Sequence, residues 1–448
     1  MKYKNIISFF LLFSLNISLY ANYQIGGQDF NSLPLLKESL SVSNGGLIND
    51  NEALKDGVGM KVMSFGNKNV PDFSNINKAL KNAKPGEVVK DLNITGDFAT
   101  LTGATLTPNG IDCSNISVGE EVSLNDISYL VVDNDTIKDH LDRADTLCTS
   151  HVTNMSRLFK DNTDFNLNIS TWDTSNVTDM SYMFYHAESF NQPIGNWDTG
   201  NVTKMTAMFT YDYVFNQNIS KWNTSKNTDM YAMFYKNYDF NQPLNNWDTS
   251  NVTNMNRLFY VANSFNQDIS NWDTSKVTDM NYMFDNANDF NQPIGNWDVS
   301  NVLTMEGMFY GDFDFNQDIG SWNTSNVTNM KRLFYAATSY NKSIDNWDTS
   351  NVTDMSYMFY KAYDFNQPLN SLNTSKVTTM KGILCYADNF NQPLSNWDTS
   401  NVTDMDYSFA YMSNFNQDLS GINVSNVSTN ENYDKDSDNW QEDYKPLF

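Results

Sequence analysis

The sequence predicts an α/β repeat solenoid, a leucine-rich-repeat-like array with one short strand and one short helix in each 25-residue coil. Three observations carry that prediction. FNQPIGNWDTGNVTKMTAMF at 190–209 returns, with small edits, at every step of 25 residues. Its aromatic, aliphatic and methionine positions keep fixed columns. Within each copy, the apolar spacing changes between the first half and the second.

The first half suits a brief strand. Ile194 to Asp198 is too short for a helix between Pro193 and the Thr-Ser-Asn turn, and a proline cannot donate to a ladder, so the strand begins after it. In the second half, Met180, Met183, Phe184 and Ala187 fall at i, i+3, i+4 and i+7, the stripe of a short helix capped by Thr178 or Asp179. Such a helix is marginal alone, so its apolar face must meet the same face of a neighbour. Stacked at the ~4.8 Å strand spacing, about eleven coils would extend roughly 50 Å. Phe190, Phe215 and Phe240, Ile194 and Ile219, and Trp197, Trp222 and Trp247 then become internal ladders. The Asn column, Asn166 through Asn416, reads as side-chain amides satisfying backbone groups at the turn.

Around the array the chain divides further. Residues 1–21, MKYKNIISFFLLFSLNISLYA, resemble a signal peptide, with Lys2 and Lys4 before an apolar run and Ala21 after it. Residues 22–120 are an N-terminal region, a small domain or spacer. Residues 121–150 are an N-terminal cap containing a hairpin around Asn125-Asp126 and a helical stretch near Thr136 to Leu141. The repeats occupy 151–427, and 428–448, where the period is lost, form a C-terminal cap.

A net charge of −25 argues against nucleic acid, whose phosphates need clustered Lys and Arg. No second long apolar segment follows the first, so an integral membrane protein is disfavoured. Of three cysteines, Cys113 and Cys148 are the candidate disulfide, because Cys385 lies far off inside the array. No cofactor is implied.

FNQPLNNWDTSNVTNMNRLF at 240–259 and LCTSHVTNMSRLF at 147–159 resemble the BspA-like leucine-rich-repeat surface proteins of bacteria, over about 147–427. The resemblance implies a secreted or cell-surface protein, adhesin-like and not an enzyme, whose partner is an extracellular protein or glycan. It implies no catalytic residue. Leu372, Ile383, Leu384 and Cys385 depart from the pattern, and that coil is expected to pack more thinly or kink.

Candidate binding residues lie where the columns escape the repeat: Tyr185, Tyr211, Tyr213, Tyr235, Tyr238, Tyr260, Phe313, Tyr335, Tyr360 and Tyr363. Exposed aromatic rows suit protein or sugar contact, although half-buried tyrosines shielding the core would look the same. Arg157, Arg257 and Arg332 each precede a tyrosine by one coil, which predicts Arg on Tyr stacking. An Asp column (Asp173, Asp198, Asp248) makes Ca²⁺ a candidate ligand. Its free exchange with Asn at 223 and 323, and the missing glycine-rich nonapeptide, favour turn capping instead. The alternative function, a polysaccharide-cleaving solenoid enzyme, needs one constellation that breaks the repeat, and the coils look too alike to supply it. Ice or mineral binding by regular Thr rows such as Thr174 and Thr178 is a third idea.

Overall fold

The computed structural model describes residues 104–448, and separately the backbone of six short strands within an N-terminal unit, Met1–Leu101. In that unit Asn5–Ser8 runs parallel to Val58–Lys61, Leu19–Ile25 pairs antiparallel with Gln28–Leu35, and Leu40–Ser41 with Val88–Val89. Most of the signal peptide expected at 1–21, and of the region at 22–120, lies outside the described residues.

The cap reaches back to residue 104, upstream of the boundary expected at 121. A hairpin of β1 (Thr105–Thr107) and β2 (Gly110–Asp112) precedes a three-stranded sheet of β3 (Glu121–Leu124), β4 (Ile127–Asp133) and β5 (Leu147–His151), in the order β5-β4-β3. Asn125 and Asp126 turn β3 into β4 with φ of 52° and 65°, the paired positive values of a type I′ turn. Between β4 and the parallel β5 runs a 3₁₀ helix, Ile137–Thr146, over the helical stretch expected near Thr136 to Leu141. Cys113 and Cys148 form a disulfide that ties the β1–β2 hairpin segment to β5. The first coil closes on this cap, as Trp172 Nε1 donates to the Ala144 carbonyl at 2.8 Å and Ile111 N to Thr171 O at 2.7 Å. Gly110 is needed there, because a Cβ at its φ of +138° would sit 2.4 Å from Trp172 O.

From there on successive 25-residue units stack as a repeat array. Trp172, Trp197, Trp222 and Trp247 lie in one file with centroids 6.3–6.4 Å apart. Each indole N–H donates to a carbonyl of the preceding coil, as Trp222 does to Ile194 O at 3.0 Å. Two phenylalanine files run alongside and interlock, with Phe184 3.9 Å from Phe190 and 5.5 Å from Phe209. All these rings are buried, and the core is continuous from the cap to Trp440.

The local conformation corrects the expectation of a helix and a strand in every coil. Over 180–187 the backbone makes overlapping turns: Met183 N bonds Met180 O, Tyr185 N bonds Tyr182 O and Ala187 N bonds Phe184 O. The intervening N–H groups of Met180, Tyr182, Phe184 and His186 reach instead into the next coil, to carbonyls of Lys204, Thr206, Met208 and Thr210 at 2.7–3.0 Å. Tyr182 and His186 have φ of 58° and 60°, as the third position of a type II turn requires, and such values end a helix. A helix would spend every N–H inside one coil; this tract spends half of them on its neighbour. The apolar spacing still points Met180, Met183, Phe184 and Ala187 inward. Ile194 to Asp198, expected as the strand, is a tight turn with Trp197 N on Ile194 O at 3.2 Å. Pairing between coils is limited to single parallel bridges, such as Asn154 with Asp179 and Asp179 with Lys204.

Polar ladders, one partly exposed and one buried, stitch successive coils together. Asn166 Oδ1 accepts Asn191 N at 3.1 Å and Gln192 Nε2 at 2.8 Å, and the same pair of bonds recurs down the Asn column. Thr174 Oγ1 donates to Asp198 O at 2.9 Å, again coil after coil. Leu372, Ile383 and Leu384 are buried in register, and Thr379 bridges both Asp354 and Asp404, so the coil expected to kink keeps its pairing. Beyond 427, where the sequence period fades, the backbone completes a further coil with Met405 N on Thr429 O and Phe409 N on Tyr433 O.

One joint is looser. Asn227 stands buried in the column held by Val202 and Val252, and its Nδ2 has no hydrogen-bond partner. Its Oδ1 takes the N–H of Asp229, and the bridge that would join Lys204 to Asp229 is missing from the series.

Candidate functional site

The overlapping turns that bury Met and Phe turn the residues between them outward. Two neighbouring columns result, one through Arg257 and Tyr282, the other through Tyr235, Tyr260 and Tyr310.

In the first column Arg257 Cζ lies 4.9 Å over the ring of Tyr282, Arg157 5.2 Å over Tyr182 and Arg332 5.8 Å over Tyr357. Tyr282 and Tyr357 lie in turn against a glycine one coil further, Gly307 and Gly382, and the place after Tyr182 is held by Ala207. The fit is tight at Gly307, where a Cβ would meet the Tyr282 ring at 2.6 Å.

In the second column, Tyr235 and Tyr260 stack at 4.4 Å and 4°, then Tyr310, Tyr335 and Tyr360 at 4.3 and 4.5 Å. Between the two stacks the ring is replaced by Asp285. The short side chain opens a groove of about 750 Å³, lined by both tyrosine stacks, Arg257, Tyr282, Arg332, Tyr357, Asp285 and Asn286. Asp285 is only 4% exposed. Burial pushes its carboxyl up to about 7, against the pull of a hydrogen bond from Asn286 Nδ2 and of Arg257 and Arg332. Tyr282, half-buried and donating to Glu306 Oε1, is pushed up to about 12. The groove therefore joins flat aromatic walls, two guanidinium groups and one carboxyl poised to change charge near neutrality.

The ten aromatic residues expected at a binding surface are divided. Tyr235, Tyr260, Tyr335 and Tyr360 line the groove. Tyr185 and Tyr211 lead toward it edge-on, at 5.8 Å from each other and 5.3 Å from Tyr211 to Tyr235. Tyr213 and Tyr238 form a separate stacked pair at 5.1 Å, and Phe313 and Tyr363 stand exposed outside the groove. Missed as wall residues were Asp285, Asn286, Tyr310, the two arginines and the tyrosines they stack on, Tyr282 and Tyr357. The signal was the one acidic residue in an otherwise tyrosine-rich column.

The Asp column proposed for Ca²⁺ is engaged in its own turns. Asp248 Oδ1 accepts Ser250 Oγ at 2.6 Å and Ser250 N at 3.0 Å, and these bonds hold its carboxyl below the usual range. Among the described residues no three ligand-type side chains gather as a metal site. No described helix is long and apolar enough to cross a membrane.

A family profile described as "Mycoplasma protein of unknown function, DUF285" matches the chain in overlapping segments at 125–243, 192–294, 228–346, 267–371 and 338–446. No curated protein and no solved structure matches.

Proposed function

Since the chain belongs to the DUF285 family of proteins of unknown function, which carries no activity to transfer, we propose from the groove itself that this is a non-enzymatic binding protein. It takes an extracellular protein or glycan on the tyrosine-rich face of its array. The observation that carries this is the interruption at Asp285: a repeat built for stacking departs from its column where a groove with aromatic walls opens. Half-buried tyrosines beside guanidinium groups are the chemistry of recognition surfaces.

Catalysis is the weaker reading. Asp285 is the single carboxylate lining the groove, whereas hydrolysis of a glycosidic bond ordinarily uses two. Export to the cell surface or medium, by the resemblance at 1–21 to a signal peptide, and kinship with the BspA-like leucine-rich-repeat adhesins belong to the same proposal.

The test is retention of the full chain on immobilised matrix proteins and glycans, compared with Tyr335→Ala and Tyr360→Ala. Loss of retention in variants with an unchanged circular-dichroism spectrum supports the proposal. Turnover of a polysaccharide, or no retention on any surface, overturns it.

A further inference from the structure

The gap in the tyrosine ladder narrows the binding reading, on which this inference rests, to a class of ligand. Asp285 occupies a position that is a ring in the two coils before it and the three after it. At ~4.8 Å per coil, Tyr260 and Tyr310 stand roughly 9–10 Å apart. Carbon atoms pack at about 3.5–4 Å, so the gap admits one ring between the two tyrosines. At its floor, the Asp285 carboxyl has one oxygen bonded by Asn286 and the other without a hydrogen-bond partner among the described residues.

Arginine is scarce in this chain: Arg143, Arg157, Arg257 and Arg332 are all it has, and two of these four line the one groove. Arg257 spends an N–H on Asn256 Oδ1, and Arg332 stands 4.0 Å from Glu306. Each guanidinium carries five N–H donors, so most remain for a ligand. On a chain of net charge −25, a paired cationic spot selects an anion. A neutral aromatic side chain would fill the gap and leave the guanidinium groups unused. A bare anion would do the reverse. A carboxylated sugar uses both, since its C–H face stacks on tyrosine and its hydroxyls suit a buried carboxyl.

We propose that this groove binds an acidic oligosaccharide, with one pyranose ring seated between Tyr260 and Tyr310, a hydroxyl on Asp285, and carboxylates on Arg257 and Arg332.

The experiment is calorimetric titration of the full chain with a hyaluronan tetrasaccharide, which carries carboxylates, and with chitotetraose, which carries none. The first is expected to bind at least about tenfold more tightly, and added salt to weaken it. Asp285→Tyr, which places the column's own residue in the gap, should abolish binding while melting no lower than the parent. Arg332→Gln should weaken binding about tenfold and flatten the salt dependence. Equal binding of the two sugars, or full binding by Asp285→Tyr, overturns the proposal. If the chain holds a matrix protein through Tyr335 and Tyr360 yet ignores the acidic sugar, this inference falls and the binding reading stands. If it holds nothing, both fall.

Discussion

Arg257 stacks on Tyr282 at 4.9 Å, and that ring lies close against Gly307 one coil further on. Gly307 has a φ of +58°, and any Cβ there would press on the Tyr282 ring at 2.6 Å. Gly307→Ala should displace the ring and with it Arg257. Thermal melting should show a loss of about 1–2 kcal/mol, and the groove's ligand should bind more weakly. Gly421→Ala, with nothing within 4 Å of the new carbon, is the control.

Asn227→Val should stabilise the array. The change removes an unpartnered buried amide and restores the apolar column of Val202 and Val252. A gain of about 1–3 kcal/mol in urea unfolding is expected, along with slower amide exchange at 203–206 and 228–231. An unchanged midpoint would mean the joint is no looser than its neighbours.

Asp285 makes stability depend on pH. Its folded value of about 7 lies above the ordinary 3.8, so the folded state holds the proton more tightly. The contribution is complete below about pH 4 and is lost as pH rises through 7. Asp285→Asn should flatten that decline, by about 4 kcal/mol at most. Urea midpoints between pH 4 and 8 measure it. Buried Asp212 and Asp312 slope the same way in both proteins, since burial raises each well above the usual range.

Reduction of Cys113–Cys148 should loosen the cap. The bridge closes a loop of 35 residues in the unfolded chain, worth about 4 kcal/mol by loop entropy. Cys148→Ala, or parent protein with a reductant, should melt earlier at the N-terminal end, with faster amide exchange over residues 104–172 reporting it.

Much of the core was legible, because stacking demands identical columns, and the Phe, Trp and Met positions occupy the places their period implied. The helix was not. Turns that overlap every two residues bury i, i+3, i+4 and i+7 as a helix does, so the spacing of Met180 to Ala187 cannot separate them. The positive φ angles that do separate them fall on Arg157, Tyr182 and Lys236, residue types that give no glycine-like warning. They are tolerated because bonds to the next coil hold them there. Tyrosine columns were visible at the candidate site, but the groove arises from a ring that is missing. It shows only when Asp285 is read against its column.

The alternation of N–H bonds through 180–187 has an evolutionary corollary. Apart from the joint at Asn227, the coils present the same donors to one neighbour and the same acceptors to the other, so one coil can follow another. Loss or duplication of a whole period in the gene would leave the seams intact, and the array could change length in a single step. Columns that line the surface, such as the one interrupted at Asp285, could then diversify independently, letting one scaffold carry many surfaces.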